Sequence, residues 1–146
     1  MPLTIYTILI VGSYPQTFTK AERIKSKLII NRLFEGGSAS FVAFPFRIVY
    51  MTIPKGDAPT SILISVPKRR FHHAVDRNHI KRQVREAYRK QKYILWKALE
   101  NSDKSIAIAF ISIASQHYKS NVIEKCVKKA ICRIEHDIQS NKDENN

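Results

Sequence analysis

A chain of 146 residues, 44% of them hydrophobic, is long enough for one compact domain and too short for two. That excludes a disordered basic tail, and a formal net charge of +13 points to a polyanionic partner: RNA, DNA or an anionic membrane surface. Cys126 and Cys132 are the only cysteines and point apart on a helical segment, so neither a disulfide nor a zinc site is expected and the thiols read as reduced.

No stretch reaches the length of a membrane span. The apolar run Leu3 to Val11 lacks the basic leader and small-residue cleavage pattern of a signal peptide. Residues 1–17 therefore read as a poorly packed extension or as translation from an upstream start, with a strand added to the sheet as the alternative. Thr19-Lys20-Ala21-Glu22 carries a capping-box pattern, so a first helix is expected to begin there. Ile24, Leu28, Ile30, Leu33 and Phe34 continue it at helical spacing until Gly36-Gly37.

From Phe41 to Ile53 the pattern becomes extended, with Phe46, Ile48 and Tyr50 on one face and Arg47, Val49 and Met51 on the other. Pro45 either splits this strand in two or marks an edge. Pro54-Lys55-Gly56-Asp57 is a turn, and Ser61 to Val66 is a further strand with Ile62, Ile64 and Val66 facing one way. A basic loop, Pro67 to His73, leads into a helix expected to run from Ala74 to about Leu99. After a turn at Asn101-Ser102-Asp103, the Ile-rich run Ser105 to Ile113 reads as a buried strand. Ser120 opens a last helix with Val122, Ile123, Val127, Ala130, Ile131 and Ile134 as its packing stripe. The polar tail, 139–146, is expected to fray. The whole is one α+β domain over residues 18–138, in the order α-β-β-β-α-β-α, with a strand–helix–strand crossover whose usual hand would be right.

The helix after the basic loop says most about function. Ile80, Val84, Ala87, Gln91 and Leu95 fall on one stripe, while Arg77, Lys81, Arg82, Arg85, Arg89 and Lys92 occupy the neighbouring faces. Solvated faces normally mix signs, and here only Asp76 and Glu86 interrupt the positive run. Cations spaced along a rigid helix suit the repeating charge of a nucleic-acid backbone. Catalytic groups are missing by contrast: there is no nucleophile elbow, no glycine-rich phosphate loop and no carboxylate cluster for two metals. His72-His73 is the one adjacent pair, and in a basic loop it reads as hydrogen bonding or phosphate contact rather than metal ligation. Phe34, Tyr50, Phe46 and Tyr88 are the aromatic candidates for stacking unpaired bases, although core packing is the preferred reading for Phe46 and Tyr88.

Arg77-Asn78-His79-Ile80-Lys81-Arg82-Gln83-Val84-Arg85-Glu86 resembles the signature of the bacterial ribonuclease P protein subunit family, Arg-Asn-Arg-x-x-Lys-Arg-x-x-Arg-Glu, on its second helix. The preceding Ser65-Val66-Pro67-Lys68, the opening Arg23-Ile24-Lys25, Leu33-Phe34 before a glycine, and Tyr50 late in the second strand are similar too. The resemblance covers residues 18–138. It implies a ribosomal protein S5 domain 2-like fold with a left-handed βαβ crossover, against the right-handed default. It also implies endoribonuclease action as part of a holoenzyme that removes the 5′ leader of precursor transfer RNA. The RNA subunit would catalyse with Mg²⁺ bound mainly by that RNA and the substrate, so no catalytic or metal-binding side chain is expected in this chain.

By the same resemblance, Arg77, Asn78, His79, Lys81, Arg82, Arg85 and Arg89 would face the RNA subunit, with Lys68, Arg69 and Arg70 as further basic contacts. Ile30, Phe34 and Tyr50 would line a cleft for the single-stranded leader. The implied partners are the RNA subunit, in a 1:1 complex with a monomeric protein, and precursor transfer RNA, in the cytoplasm and away from membranes. His79 stands where the family signature has Arg, and Ile30 where the cleft often has an aromatic. The loop from Lys68 to Val75 is one residue longer than in many relatives. A general RNA binder, such as a ribosomal protein or RNA chaperone, is the alternative; a DNA-binding protein would need a helix-turn-helix pair, and an independent nuclease would need metal ligands.

Overall fold

The computed structural model describes residues 17–36 and 38–144, the last three by backbone alone, so the expected extension lies outside the described residues apart from Thr17. Four strands make one sheet: β1 (Ala39–Ala43), β2 (Phe46–Pro54), β3 (Thr60–Ser65) and β4 (Lys104–Ser112), in the spatial order β1-β2-β4-β3. Pro45 does split the alternating run in two. β1 and β2 form an antiparallel hairpin, with Phe41 opposite Ile48, about a turn holding the cis Phe44-Pro45 bond. β4 pairs antiparallel with β2 from Phe46–Ser112 to Pro54–Lys104, and parallel with β3 from Thr60–Ile106 to Ser65–Ile111. Because β4 is covered on both faces, its residues from Ser105 to Phe110 are all buried, which is why that segment is a continuous apolar run.

The first helix starts later than its capping pattern suggests. Thr19 and Glu22 do close a box, with the Glu22 carboxylate accepting the Thr19 N–H (2.5 Å) and hydroxyl (3.0 Å), but the result is a single 3₁₀ turn, Lys20–Glu22. Glu22 is 0% exposed and its other oxygen takes the Lys92 ammonium at 2.5 Å, so a tertiary ion pair holds this turn down. The chain then runs extended: Arg23 forms a parallel bridge with Ile62, and Ile24 N–H donates to the Ile62 carbonyl. Ser26 caps the true helix α1 (Lys27–Phe34), and Gly36, at φ +89°, lies beyond its end in a conformation that favours glycine.

The crossover between the parallel strands β3 and β4 is helical. The single helix expected to Leu99 is two segments, α2 (Ala74–Gln91) and α3 (Tyr93–Ala98), meeting at Lys92. Ile80, Val84, Ala87, Tyr88 and Leu95 are buried, so the apolar stripe holds and Tyr88 is a core residue, as Phe46 is. Lys92, which the helical wheel places among the solvent-facing cations, is 1% exposed and directed inward. The last helix, α4 (Ser120–Glu144), buries Ile123, Cys126, Val127, Ala130, Ile131 and Ile134. Val122 is 38% exposed, because Cys126 rather than Val122 completes the stripe, and the polar run from Gln139 prolongs the helix to Glu144.

The sheet carries apolar packing on both faces. On one, Phe46, Ile48, Ile62, Ile106, Ile108 and Phe110 pack against α2 and α4, with Tyr50 and Phe41 at the margin. On the other, Val49, Ile53, Ala107 and Ala109 meet Ile24 and Leu33, with Ile29 and Ile30 of α1 and the sheet residues Met51, Leu63 and Ile111 partly buried beside them. Among the described residues, no helix is long and apolar enough to cross a membrane.

Candidate nucleic-acid interface

The apolar stripe of α2 faces the core, and this turns Asn78, Lys81, Arg82, Arg85 and Arg89 toward the opposite side. Asn78 and Arg82 are exposed, while Lys81, Arg85 and Arg89 keep their stems half-buried. Among the described residues, no salt bridge engages Lys81, Arg82 or Arg85. The Arg85 guanidinium is held below its ordinary pKa, first by burial and then by the charges of Arg23 and Arg82. These like charges sit close together without a protein anion between them, an arrangement that an RNA backbone would relieve. Arg89 differs, because it grips Glu86 at 2.5 Å, which lowers the Glu86 pKa and raises its own.

Three other expected contacts have different surroundings. Arg77 lies on the flank nearest the core and donates from one nitrogen to the carbonyls of Phe71 and His72, both at 2.9 Å. It therefore ties the basic loop to the first turn of α2. His79 is turned toward His117, whose ring centroid is 5.5 Å away; His117 in turn packs on Phe71 and meets Asp76 at 3.2 Å. His72 and His73 are exposed on the loop, as are Lys68 and Arg69, whereas Arg70 is half-buried with its Nε enclosed and unpartnered.

Only two of the three expected cleft residues come together. Ile30 and Phe34 lie on α1 over the Val49 face of the sheet, and Phe34 is 50% exposed, unlike the Leu33 beside it. Tyr50 belongs to the other face. Its ring meets Phe41 edge-on, and its hydroxyl donates to Asp137 on α4. Burial and the Asp137 carboxylate push the Tyr50 phenol well above its usual pKa. The alternation of the strand already carried this signal, since Tyr50 shares its side with Phe46 and Ile48. Met51 and Ile111 are half-buried residues that pack on the same apolar cluster as Ile30 instead. Arg23 is the residue missed as a contact: no periodicity connects it with α2, and only the bridge to Ile62 brings it near Arg85.

The interface can bind and orient a polyanion. Among the described residues, no three His, Cys, Asp or Glu side chains converge as a metal site. Cys126 is buried and Cys132 exposed, both as free thiols.

A sequence model of the Ribonuclease P family matches residues 18–135. The ribonuclease P protein component of Porphyromonas gingivalis is 37% identical over 129 residues, covering 86% of this chain and 93% of that relative. The component from Chlorobaculum tepidum is 35% identical over 99 residues, 63% of this chain and 64% of the relative. Among solved structures, a Staphylococcus aureus RNase P protein, in a mutant with defective mRNA degradation activity, superposes with a TM-score of 0.56. It covers 90% of this chain and 95% of its own at 22% identity, which is a likeness of fold.

Proposed function

The chain belongs to the ribonuclease P protein family, and from that membership we propose that it binds a catalytic RNA subunit and helps it remove the 5′ leader of precursor transfer RNA. The observation that carries this reading is the unbalanced cationic face of α2, where Lys81, Arg82 and Arg85 have no protein counter-ion among the described residues. Such a face lowers the repulsion between phosphates that a folded ribozyme brings together, and so lowers its demand for Mg²⁺. Asn78 and Arg89 extend the same face, and Arg77 serves it by holding the loop that carries Lys68, Arg69 and Arg70.

The leader lies, in this proposal, against Ile30 and Phe34 of α1 and the neighbouring sheet, where Met51 and Ile111 pack on the same apolar cluster as Ile30. One exposed aromatic beside half-buried aliphatics suits an unpaired strand better than a duplex. Mg²⁺ would be held mainly by the RNA subunit and substrate and would supply the activation of the attacking water. The protein contributes binding and orientation and acts as one copy per RNA, in the cytoplasm.

The test is cleavage of a 5′-labelled precursor transfer RNA at low Mg²⁺, with protein alone, RNA subunit alone and both. Correct cleavage in the mixture only is the expected result. Cleavage by the protein alone would show an independent nuclease. An RNA subunit that works at higher Mg²⁺ yet gains nothing from the protein would leave a general RNA binder.

A further inference from the structure

A pocket of about 160 Å³ opens between the N-terminal segment, the outer edge of β3 and the flank of α2. Phe18, Ile24, Leu63 and Ile64 give it an apolar lining, and Arg23, Lys81 and Arg85 give it three cations. Among the described residues, no carboxylate lines it. Two chain segments far apart in sequence thus bring positive charge to one concavity, and burial, followed by the charges of Arg23 and Arg82, depresses the ionisation range of Arg85. The Arg23 guanidinium also lies over the Phe18 ring, 5.5 Å from its centroid, and the Phe18 ring meets Tyr88 edge-on at 5.8 Å. Those contacts hold the cation at the pocket rather than letting it swing into solvent.

The edge of β3 adds a second kind of recognition. β3 pairs with β4 on one side only, and the N-terminal segment bridges its other side at Ile62. Beyond that bridge, alternation along the strand turns the Leu63 amide and carbonyl to β4 and those of Ile64 to the outer edge, where no backbone pairing occupies them among the described residues. Cations alone would suit a phosphate, and an apolar hollow alone would suit an aliphatic chain. Both together, beside the outward-facing backbone of Ile64, suit a nucleotide whose base has left its stack.

We infer that this pocket seats a single unstacked nucleotide of the bound RNA, its phosphate among Arg23, Lys81 and Arg85 and its base on Ile24, Leu63 and Ile64. The inference rests on the reading of α2 as an RNA-binding face and adds to it a site that the helix alone does not make. Arg23 is exposed and outside the core, so Arg23→Ala leaves the fold in place.

The experiment titrates the ¹⁵N-labelled full chain with adenosine 5′-monophosphate and, separately, with inorganic phosphate, following amide and arginine side-chain resonances. Saturable shifts at Ile24, Leu63, Ile64, Arg23 and Arg85, stronger with the nucleotide than with phosphate, are expected. Arg23→Ala should weaken nucleotide binding about tenfold, the scale of one charge-assisted hydrogen bond. Equal responses to nucleotide and phosphate, or shifts spread along α2 without the β3 edge, would overturn the pocket. Binding of the RNA subunit to the unaltered chain is measured in parallel. If the RNA is not bound while the nucleotide is seated, the ribonuclease P reading fails and the pocket stands; if RNA binds and the pocket is silent, only the pocket falls.

Discussion

At the scale of the residue, two arginines of one motif have different work. Arg85 has no salt-bridge partner among the described residues, while Arg77 donates to two loop carbonyls. Arg85→Ala should therefore lower RNA-subunit affinity and reduce the slope of log K against log salt by about 1. Arg77→Ala should cost about 1 kcal/mol of stability through its lost hydrogen bonds, seen as a lower urea midpoint. Equal salt-slope changes and unchanged stability in both would contradict that division. The expected cleft separates in the same way. Phe34→Ala, at a half-exposed ring, should change stability by less than about 0.5 kcal/mol but weaken precursor more than mature transfer RNA. Tyr50→Phe should do the reverse, costing about 1 kcal/mol through the bond to Asp137 with no effect on that ratio.

At the scale of the element, local pattern located the strands and helices but not every boundary. The capping box formed as expected, yet it ends after one turn because Glu22 is committed to Lys92. That ion pair is fully enclosed, and the Lys92 ammonium also donates to the Thr17 carbonyl and lies 4.3 Å from the Trp96 ring centroid. Removing one partner leaves an uncompensated buried charge. Lys92→Met and Glu22→Leu should each lower stability by about 3 kcal/mol or more. The double variant Glu22→Leu/Lys92→Met should lose far less than the sum of its two single changes, a coupling that urea denaturation of all four proteins measures. Strict additivity would mean that the pair does not anchor the N-terminal segment.

At the scale of the whole molecule, titratable groups enclosed by the fold set an alkaline limit. Burial pushes the Cys126 thiol from 9.0 up to about 11, and it raises the Tyr88 phenol as well. The folded value lies above the unfolded one, so the contribution is fully present below about pH 9 and is lost as pH rises through about 11. The urea midpoint should fall across that window, and Cys126→Ala should make the fall shallower. A thiol reagent should modify one cysteine per native molecule, the exposed Cys132, and reach Cys126 only on unfolding. Two thiols reacting at one rate would contradict the burial of Cys126.

The sequence by itself determined the α+β class, a break in the strand pattern at Pro45, the buried strand at Ser105 to Ile113 and the apolar stripe of α2. Each of these depends on periodicity or on a residue's own backbone chemistry, which act within a few positions. It also determined that the outward face of α2 is cationic, since the side opposite a core stripe must face solvent. Tertiary structure alone decided that Lys92 turns inward to Glu22, that Arg77 is committed to the loop, and that Arg23 joins Arg85. A helical wheel gives direction around one axis but no knowledge of what lies beyond it. Tyr50 falls between the two cases: its side of β2 was legible, but only the packing of α1 and α4 showed which side each helix covers.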